Sequence, residues 1–263
     1  GILVGLEQRG VTIDEIQGFR SALLELSNSP ILDAQNAIDL CGTGGDGKDT
    51  FNISTTSSLA LAAMGYKVIK HGNYGVSSIC GSSNVLEELG YEFTADNKQL
   101  EASLDKKNIC FLHAPLFHPT MKKVAPIRKS LGIRTIFNCL GPLVNPVQPQ
   151  YQLTGTYSLE LSKLYQHILK DIRSDYRVVY GMDGYDEITL TDSTRVLGKH
   201  VDYALDHASF NAVKSAQSEL SSGNSIQVAA QIITQILSGK GSKTQNNVVA
   251  ANATVITDVI CNG

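Results

Sequence analysis

A strand, a glycine-rich loop and a helix follow one another near the start of the chain, and this unit limits what the chain can fold into. Residues 37–40 (AIDL) predict a short strand, and residues 41–50 (CGTGGDGKDT) predict a loop. We expect Ser54 to cap the Ala/Leu-rich helix that follows and Gly65 to end it. The unit then repeats, with KVI at 67–69 as a strand and SSNVLEELG as a helix. Alternating strands and helices predict an α/β fold with a central, mainly parallel sheet flanked by helices.

Other segments extend this pattern or leave it. Residues 12–27 (TIDEIQGFRSALLELS) have apolar side chains at helical spacing after a Thr12–Glu15 capping box, and a further helix precedes them. Most of the prolines fall within 118–147 around a helix-like middle, which predicts a segment that leaves the sheet and returns. RVVYG at 177–181 predicts a strand, and GNSIQVAAQIITQILSG predicts a late helix.

The composition is that of a packed protein and excludes several classes. Hydrophobic residues make up 42% and charged residues 18% of the 263 residues, and the formal charge is −3. No Lys/Arg cluster is longer than two residues, so we expect no nucleic-acid partner. No apolar run approaches the roughly 18 to 20 residues of a membrane span, so we expect no membrane partner either.

Cysteine usage and the chain ends lead to two further expectations. The five cysteines form no C-x-x-C, and their scattered, odd-numbered set favours a reducing cytoplasm over a disulfide framework or a zinc site. The chain opens on GILVGLEQRG, which is apolar and uncapped, and we expect residues to be missing at both ends.

The glycine loop permits three interpretations. Gly42, Gly44 and Gly47 spell G-x-G-x-x-G, but a dinucleotide site needs the helix to start inside the motif and an acid about 20 residues further on, where this chain has VIKHGN. A P-loop needs Ser or Thr where Asp49 stands. The third interpretation is a glycine-rich turn that binds no ligand.

The residues after the loop favour a phosphate ligand. Asn52, Ser54 and Thr55 follow at a helix N-terminus, where free N–H groups and the helix dipole favour an anion. A second glycine loop, KHGNYGVSS, ends the next strand and adds Lys70 at the edge where parallel strand ends converge. Phosphate together with hydroxyl ligands would suit magnesium pyrophosphate.

A third loop, GMDGYDEIT, follows the strand at 177–181 and groups Asp183, Asp186 and Glu187 within five residues. Oxygen ligands in such a cluster suit Mg²⁺ shared with substrate phosphates, and a solvated acidic turn is the alternative. Three such loops at strand ends favour the metal.

Four stretches together resemble one family. They are GTGGDG with FNIS-T, KHGN with VSS and GSSNVLEELG, HPTMKKVAPIRKSLGIRTIFNCLGPLVNP, and MDGYDEIT. These motifs are similar to those of the anthranilate phosphoribosyltransferases of tryptophan biosynthesis, and the match runs to about residue 250. The resemblance implies a pentosyltransferase that displaces pyrophosphate from phosphoribosyl pyrophosphate (PRPP) with the amine of anthranilate, with Mg²⁺ as cofactor.

The resemblance also implies two domains. A small helical domain, residues 1–36 and about 118–147, would make a homodimer. Residues 37–117 and 148–263 would form the larger α/β domain that binds PRPP.

Residue roles are likewise implied by the family's motifs. PRPP would be bound by Gly42, Thr43, Gly44, Gly45, Asp46, Thr50, Asn52, Ser54, Thr55, Lys70 and Ser82. Anthranilate would meet Gly42, His71, Asn73, His118 and Arg128, and magnesium would be held by Ser54, Asp186 and Glu187. No residue is assigned as acid or base, because stabilising the departing pyrophosphate matters more than a strong base.

Arg134 is a rival to Arg128 for the carboxylate of anthranilate. A guanidinium group binds an aromatic carboxylate well because it can donate two parallel hydrogen bonds. Arg128 offers such a group on the segment that bounds the crevice. Arg134 lies in GIRT near Asn138 and could equally make a structural pair.

The second motif departs from its familiar form, KHGNRAVSSKSGSAD. This chain has Tyr74, Gly75, Ile79, Cys80 and Asn84 where that form has Arg, Ala, Lys, Ser and Asp. The departures leave open a non-catalytic or nucleic-acid-binding paralogue of the same fold. A nucleoside phosphorylase is a third possibility, although those enzymes carry Ser and Thr where this chain has HGN.

Overall fold

The computed structural model describes residues 1–75 and 80–262 and places one seven-stranded sheet at its centre. The strands are β1 (Ile38–Leu40), β2 (Val68–Gly72), β3 (Ile109–His113), β4 (Tyr151–Gly155), β5 (Asp175–Gly181), β6 (Thr194–Gly198) and β7 (Asp202–Leu205). Their order in the sheet is β3-β2-β1-β4-β5-β6-β7. The first five strands in this order pair in parallel, and β5, β6 and β7 pair antiparallel. The predicted mainly parallel sheet is confirmed, and the antiparallel edge is an addition.

Helices cover the sheet and precede it. They are α1 (Ile2–Arg9), α2 (Ile13–Glu25), α3 (Ile53–Ala63), α4 (Ser82–Glu88), α5 (Asn97–Lys107), α6 (Ala114–Phe117), α7 (Met121–Leu131), α8 (Leu159–Ile172), α9 (Ile226–Leu237) and α10 (Lys243–Asn262). Short 3₁₀ turns lie at Ile136–Asn138, Gly141–Leu143, Ala208–Phe210 and Gln217–Leu220. Across the described ranges, no helix has the length and apolar character to cross a membrane.

The helix that follows the glycine loop begins earlier than the sequence indicates. α3 starts at Ile53 with Asn52 as its N-cap, and the N–H of Thr56 donates to the Asn52 carbonyl over 2.9 Å. The prediction that Ser54 caps this helix is therefore wrong, because Ser54 already lies inside the first turn. The predicted end holds, since Gly65 follows the helix with a φ of +93° that only glycine adopts without strain.

The N-terminal helices pack onto one face of the sheet together with the returning segment. The Thr12–Glu15 capping box that starts α2 is present as predicted. Ile16 and Leu23 of α2 share a hydrophobic cluster with Ile136. Further members of that cluster come from residues 139–144, α8 and β5. This packing holds residues 136–144 against α2, α8 and β5.

The point where the strand order reverses lies between β1 and β4. The chain passes from β1 outward to β2 and β3, and then returns to place β4 and β5 on the other side of β1. In an open parallel sheet, the loops that leave the strands on either side of such a point enclose a crevice. The three predicted loops follow β1, β2 and β5 and so face this crevice.

Candidate active site

The glycine loop after β1 lies directly against the loop after β5. The N–H of Gly44 donates to Oδ2 of Asp186 over 2.7 Å, and the N–H of Thr43 donates to the Gly155 carbonyl over 2.9 Å. A Cβ on Gly42 would lie 2.5 Å from Oδ2 of Asp186, and a Cβ on Gly155 would lie 1.4 Å from the Asp186 carbonyl oxygen. Glycine is required at position 155, because a side chain there would meet the backbone of Asp186, whereas at position 42 a side chain would meet the Asp186 carboxylate.

Lys70 brings a positive charge to the same place from β2. The residue is 2% exposed, and its Nζ donates to the Leu40 carbonyl and, over 3.3 Å, to Oγ of Ser54. A buried ammonium is costly unless anionic or polar groups surround it. Its position at the first turn of α3 therefore marks a site for a negatively charged ligand.

Asp186 and Glu187 supply carboxylates opposite Lys70. Desolvation raises the pKa of Asp186 to about 7, and the nearby charge of Asp46 adds to that rise. Desolvation, followed by the charge of Asp186, raises the pKa of Glu187 to about 8, although Lys70 and the N–H of Ser54 favour its ionised form. Asp186 and Glu187 fit a cation, because a cation would favour the ionised forms that desolvation disfavours.

Several buried polar atoms of the crevice have no hydrogen-bond partner. They include Oγ1 of Thr43, Oδ1 of Asn52 and Nε2 of His71. The amide nitrogen of Asn52 is already used, since it donates to the Cys80 carbonyl over 3.0 Å. Because buried polar groups in native proteins are nearly always bonded, these atoms mark where a polar ligand fits.

The ends of the second loop are held by side chains of α4. Oδ1 of Asn84 accepts the N–H groups of Gly75 and Gly81 over 3.0 and 3.1 Å. Asn84 thereby does what the Asp of the familiar motif could do, since the contact needs only an acceptor oxygen. The hydroxyl of Tyr74 donates to Glu87 over 2.7 Å. Ile79, the departure that removes a lysine, lies outside the described residues.

Two histidines bind carbonyl groups of the segment at 118–147. Nδ1 of His71 lies 3.1 Å from the Gly141 carbonyl, and Nε2 of His118 lies 2.8 Å from the Val144 carbonyl. The two rings meet edge to face with centroids 5.3 Å apart. Desolvation, with a smaller effect of His118, lowers the pKa of His71 to about 3. His71 is therefore neutral, with its proton on Nδ1 and a bare Nε2.

The two candidate arginines differ in their contacts. Nη2 of Arg134 donates to the Gly45 carbonyl, and the guanidinium lies 4.3 Å from the Tyr157 ring centroid. Arg128 makes a long 3.4 Å bond to Oδ1 of Asn138 and lies 5.5 Å from the Phe137 ring centroid. Arg134 thus supports the glycine loop. Among the described residues, Arg128 makes only one long hydrogen bond to a side chain, so its other N–H groups can bind a ligand.

Comparison with known proteins decides the family. Residues 34–260 match the pattern of the glycosyl transferase family, a/b domain. The chain is 54% identical over 245 residues to the anthranilate phosphoribosyltransferase of Christiangramia forsetii, a match that covers 93% of this chain and 74% of that protein. The enzyme of the same name from Bacteroides fragilis is 47% identical over 255 residues, with 96% and 76% coverage. The chain belongs to the anthranilate phosphoribosyltransferases.

Solved structures of anthranilate phosphoribosyltransferases share the fold. The enzyme from Thermus thermophilus has a TM-score of 0.91 and 33% identity, and the match covers 99% of this chain and 79% of that one. The Saccharomyces cerevisiae enzyme in complex with PRPP and Mg has a TM-score of 0.93 and 29% identity, with 99% and 75% coverage. The predicted family, fold class and glycosyltransferase activity are confirmed.

The structure brings most of the predicted phosphoribosyltransferase site together, but not all of it. Thr50 forms an isolated bridge with Ser221, and Thr55 is buried at 1% exposure inside α3. Oγ of Ser82 turns back to the Asn73 carbonyl over 3.3 Å, and Oδ1 of Asn73 accepts the N–H of Tyr74 over 2.8 Å. Arg128 contacts Asn138 and Phe137 and not the glycine loop.

The predicted magnesium ligands are two carboxyls and one hydroxyl. Within the described part of the chain, no three His, Cys, Asp or Glu side chains are arranged to hold a metal ion. Asp183, the third acid of its loop, instead accepts the hydroxyl of Thr191 over 2.6 Å. Asp186 and Glu187 remain as adjacent oxygen donors, and Glu187 accepts the backbone N–H of Ser54.

Sequence reasoning missed four residues that shape the site. Gly155 ends a strand, β4, that was not predicted, although YQLTG is a short strand-forming run before a glycine. The other three are fully buried polar residues whose hydrogen bonds hold the backbone around the site: Asp39, Asn145 and Asn252. Nothing in their local sequence marks them, because their partners lie far away in the chain.

Proposed function

We propose that this chain transfers the phosphoribosyl group of PRPP to the amine of anthranilate, giving N-(5-phosphoribosyl)anthranilate and pyrophosphate in tryptophan biosynthesis. The observation that carries the proposal is the set of unpartnered buried atoms of Thr43, Asn52 and His71 around one crevice. That crevice has a cation and a glycine loop on one side and two neutral histidines on the other. A phosphorylated donor and an aromatic acceptor fit these two sides.

The donor side would bind PRPP. Nζ of Lys70 donates to Oγ of Ser54 in the first turn of α3, where the N-terminal N–H groups of a helix favour an anion, and Lys70 adds positive charge. We assign PRPP to Gly42, Thr43, Gly44, Gly45, Asp46, Thr50, Asn52, Ser54, Thr55, Lys70 and Ser82. The unpartnered Oγ1 of Thr43 and Oδ1 of Asn52 support this assignment.

The residues present fit a magnesium ion. Asp186 and Glu187 are desolvated carboxyls with raised pKa values, and hard oxygen donors of this kind, with the Ser54 hydroxyl, are those that Mg²⁺ prefers. When bound, Mg²⁺ would neutralise charge on the departing pyrophosphate. The raised pKa values also mean that the carboxyls hold protons without the ion, and metal binding would release them.

The acceptor side would bind anthranilate. Gly42, His71, Asn73, His118 and Arg128 are the residues we assign to it. The bare Nε2 of His71 can accept an N–H bond from the aromatic amine, and the guanidinium of Arg128 can receive the carboxylate as a fork. Holding the amine this way aligns its lone pair, and orientation of this kind supplies much of the rate.

In the reaction, the amine nitrogen would form a bond to the ribose carbon while the bond from that carbon to the pyrophosphate oxygen breaks, and one amine proton would pass to water. Charge develops mainly on the departing pyrophosphate, which Lys70 and the N-terminus of α3 would stabilise. No residue is assigned as general acid or base. His71 has a pKa of about 3, so it would orient the amine rather than retain its proton.

We also propose the domain division and a homodimer. Residues 1–36 and about 118–147 would form a helical unit that carries the dimer contact, with residues 37–117 and 148–263 as the PRPP-binding unit. Every residue of α1 and α7 is at least partly exposed, and Ile2 and Ile127 are 79% and 56% exposed. Exposed apolar side chains on these helices support a partner surface. The five free thiols support a cytoplasmic location.

The test follows anthranilate fluorescence with time after mixing the protein, PRPP and Mg²⁺. Loss of signal that requires all three components is expected. The omission of each component in turn is the control. Persistent fluorescence in the complete mixture, while PRPP binds by calorimetry, would assign another acceptor to the site.

A further inference from the structure

Asp39, in the middle of β1, is a buried carboxylate that the proposed substrate contacts do not use. Its Oδ1 accepts the N–H of His71 over 3.3 Å, and its Oδ2 accepts Nδ2 of Asn145 over 2.9 Å. The same Nδ2 also donates to the Ile69 carbonyl over 2.9 Å. Asp39 and Asn145 are both 0% exposed. One carboxylate and one amide therefore fasten β1 and β2 to the segment at 118–147.

This link lies beside the carbonyls that hold the two histidines of the acceptor side. Gly141 and Val144 accept from the rings of His71 and His118, and both lie within four residues of Asn145. A carbonyl can only accept, so each of these bonds fixes which ring nitrogen carries the proton. The place of Asn145 thus sets the position of both carbonyls, and through them the orientation and tautomer of both rings.

We propose that Asp39 and Asn145 are positioning residues for the acceptor half of the site. They hold the backbone at 141–145 so that His71 presents a bare Nε2 to the aromatic amine. Neither residue touches the reacting atoms. The inference rests on the proposed function, since it assumes that His71 and His118 meet the acceptor.

The other half of the site contains a matched control. Asn252 on α10 is also 0% exposed, and its Nδ2 donates to the carbonyls of Ile188 and Val248 over 2.8 and 2.9 Å. Its Oδ1 accepts the N–H of Ile188 over 3.2 Å. Asn252 therefore braces the residue next to Glu187, on the donor side. The two buried amides have the same chemistry and brace different halves of the proposed site.

The first experiment compares Asn145→Ala with Asn252→Ala in steady-state kinetics. Asn145→Ala is expected to raise the KM for anthranilate by about tenfold and to change the KM for PRPP much less, because a small misplacement of orienting groups is costly. Asn252→Ala is expected to do the reverse. A purely structural role would lower the active fraction without separating the two KM values. An anthranilate KM that is unchanged, or that rises equally with the PRPP KM, would overturn the proposal.

A second measurement needs no turnover. Side-chain ¹⁵N shifts of the free protein are expected to show the Nδ1–H tautomer for His71 and the Nε2–H tautomer for His118, and Asn145→Ala should mix them. Unchanged tautomers in that variant would contradict the proposal. If wild type fails to consume anthranilate, the proposed function falls while the tautomer result still tests the link.

Asp39→Asn serves if Asn145→Ala does not fold. This nearly isosteric change keeps an acceptor for the N–H of His71 and sets two amide groups against each other at Asn145. Asp39→Asn is therefore expected to raise the anthranilate KM and to mix the tautomers as Asn145→Ala does, and unchanged values of both would count against the proposal.

Discussion

Gly44 and Asp186 are joined by a 2.7 Å hydrogen bond from the backbone N–H of the first to Oδ2 of the second. The bond connects the loop that we assign to phosphate with the loop that we assign to magnesium. Movement of either loop therefore displaces the other. The two functions therefore share one hydrogen bond between a backbone N–H and a side-chain oxygen.

The close contact of Gly155 makes this position intolerant of any side chain. We expect Gly155→Ala to lower the free energy of unfolding by about 2 kcal/mol and to weaken PRPP binding, because its Cβ would meet the Asp186 backbone. Urea denaturation and calorimetry measure both effects. Gly18→Ala is the control, since its Cβ has open space on α2, and it should be neutral or stabilising. Equal stability of the two variants would contradict the packing described here.

Replacing both acids at 186 and 187 should separate metal use from folding. Asp186→Asn with Glu187→Gln is expected to raise the Mg²⁺ concentration needed for half-maximal rate by about tenfold or more. Stability in Mg²⁺-free buffer should not fall, because two desolvated carboxyls with raised pKa values are made neutral. Activity at varied Mg²⁺ and thermal unfolding without it provide the measurements. An unchanged Mg²⁺ requirement would place the metal elsewhere.

The two arginines should give opposite kinetic results. Arg128→Ala is expected to raise the anthranilate KM by about tenfold to a hundredfold, the effect of losing a charged carboxylate contact, with the PRPP KM nearly intact. Arg134→Ala should instead raise the PRPP KM, because Arg134 supports the Gly45 carbonyl. Initial rates at varied concentrations of each substrate distinguish the two. The reverse result would exchange the roles of Arg128 and Arg134.

The buried neutral histidine predicts a loss of stability in acid. Burial lowers the pKa of His71 from 6.5 to about 3, so the unfolded chain binds a proton there that the folded chain does not. Neutral His71 therefore makes its full contribution to the free energy of unfolding above pH 6.5. This contribution declines as the pH falls toward 3, by about 2 kcal/mol between pH 7 and pH 5. Unfolding curves at several pH values test this against His71→Gln, which should show a shallower decline. A parallel decline in both proteins would assign the acid sensitivity to other groups.

The parts of the fold with local signals could be predicted from the sequence. The strand before the glycine loop, the capping box at Thr12 and the late helix α9 all follow from short-range pattern and turn chemistry. The start of α3 could not be placed in this way, because Asn52 and Ser54 are equally good N-cap residues in isolation. Only the tertiary contacts of the loop decide between them.

The bracing of the site has no local signal either. β4 lies between β1 and β5 although it follows β1 by more than a hundred residues, and a parallel pairing of that kind leaves no local trace. Asp39 and Asn145 look like ordinary polar residues until the fold brings them together. The sequence motifs predict the residues proposed to bind the ligands. The residues that hold these in place come from distant parts of the chain and have no motif.

The order of strands in the sheet also bears on how the chain emerges from the ribosome. β1, β2 and β3 can pair as soon as they are synthesised, but the second edge of β1 stays uncovered until Tyr151–Gly155 has been made. An open strand edge is a template for unwanted pairing between nascent chains. The phosphate loop thus exists in an incomplete sheet for much of translation, and shielding by chaperones in that interval would favour correct assembly over aggregation.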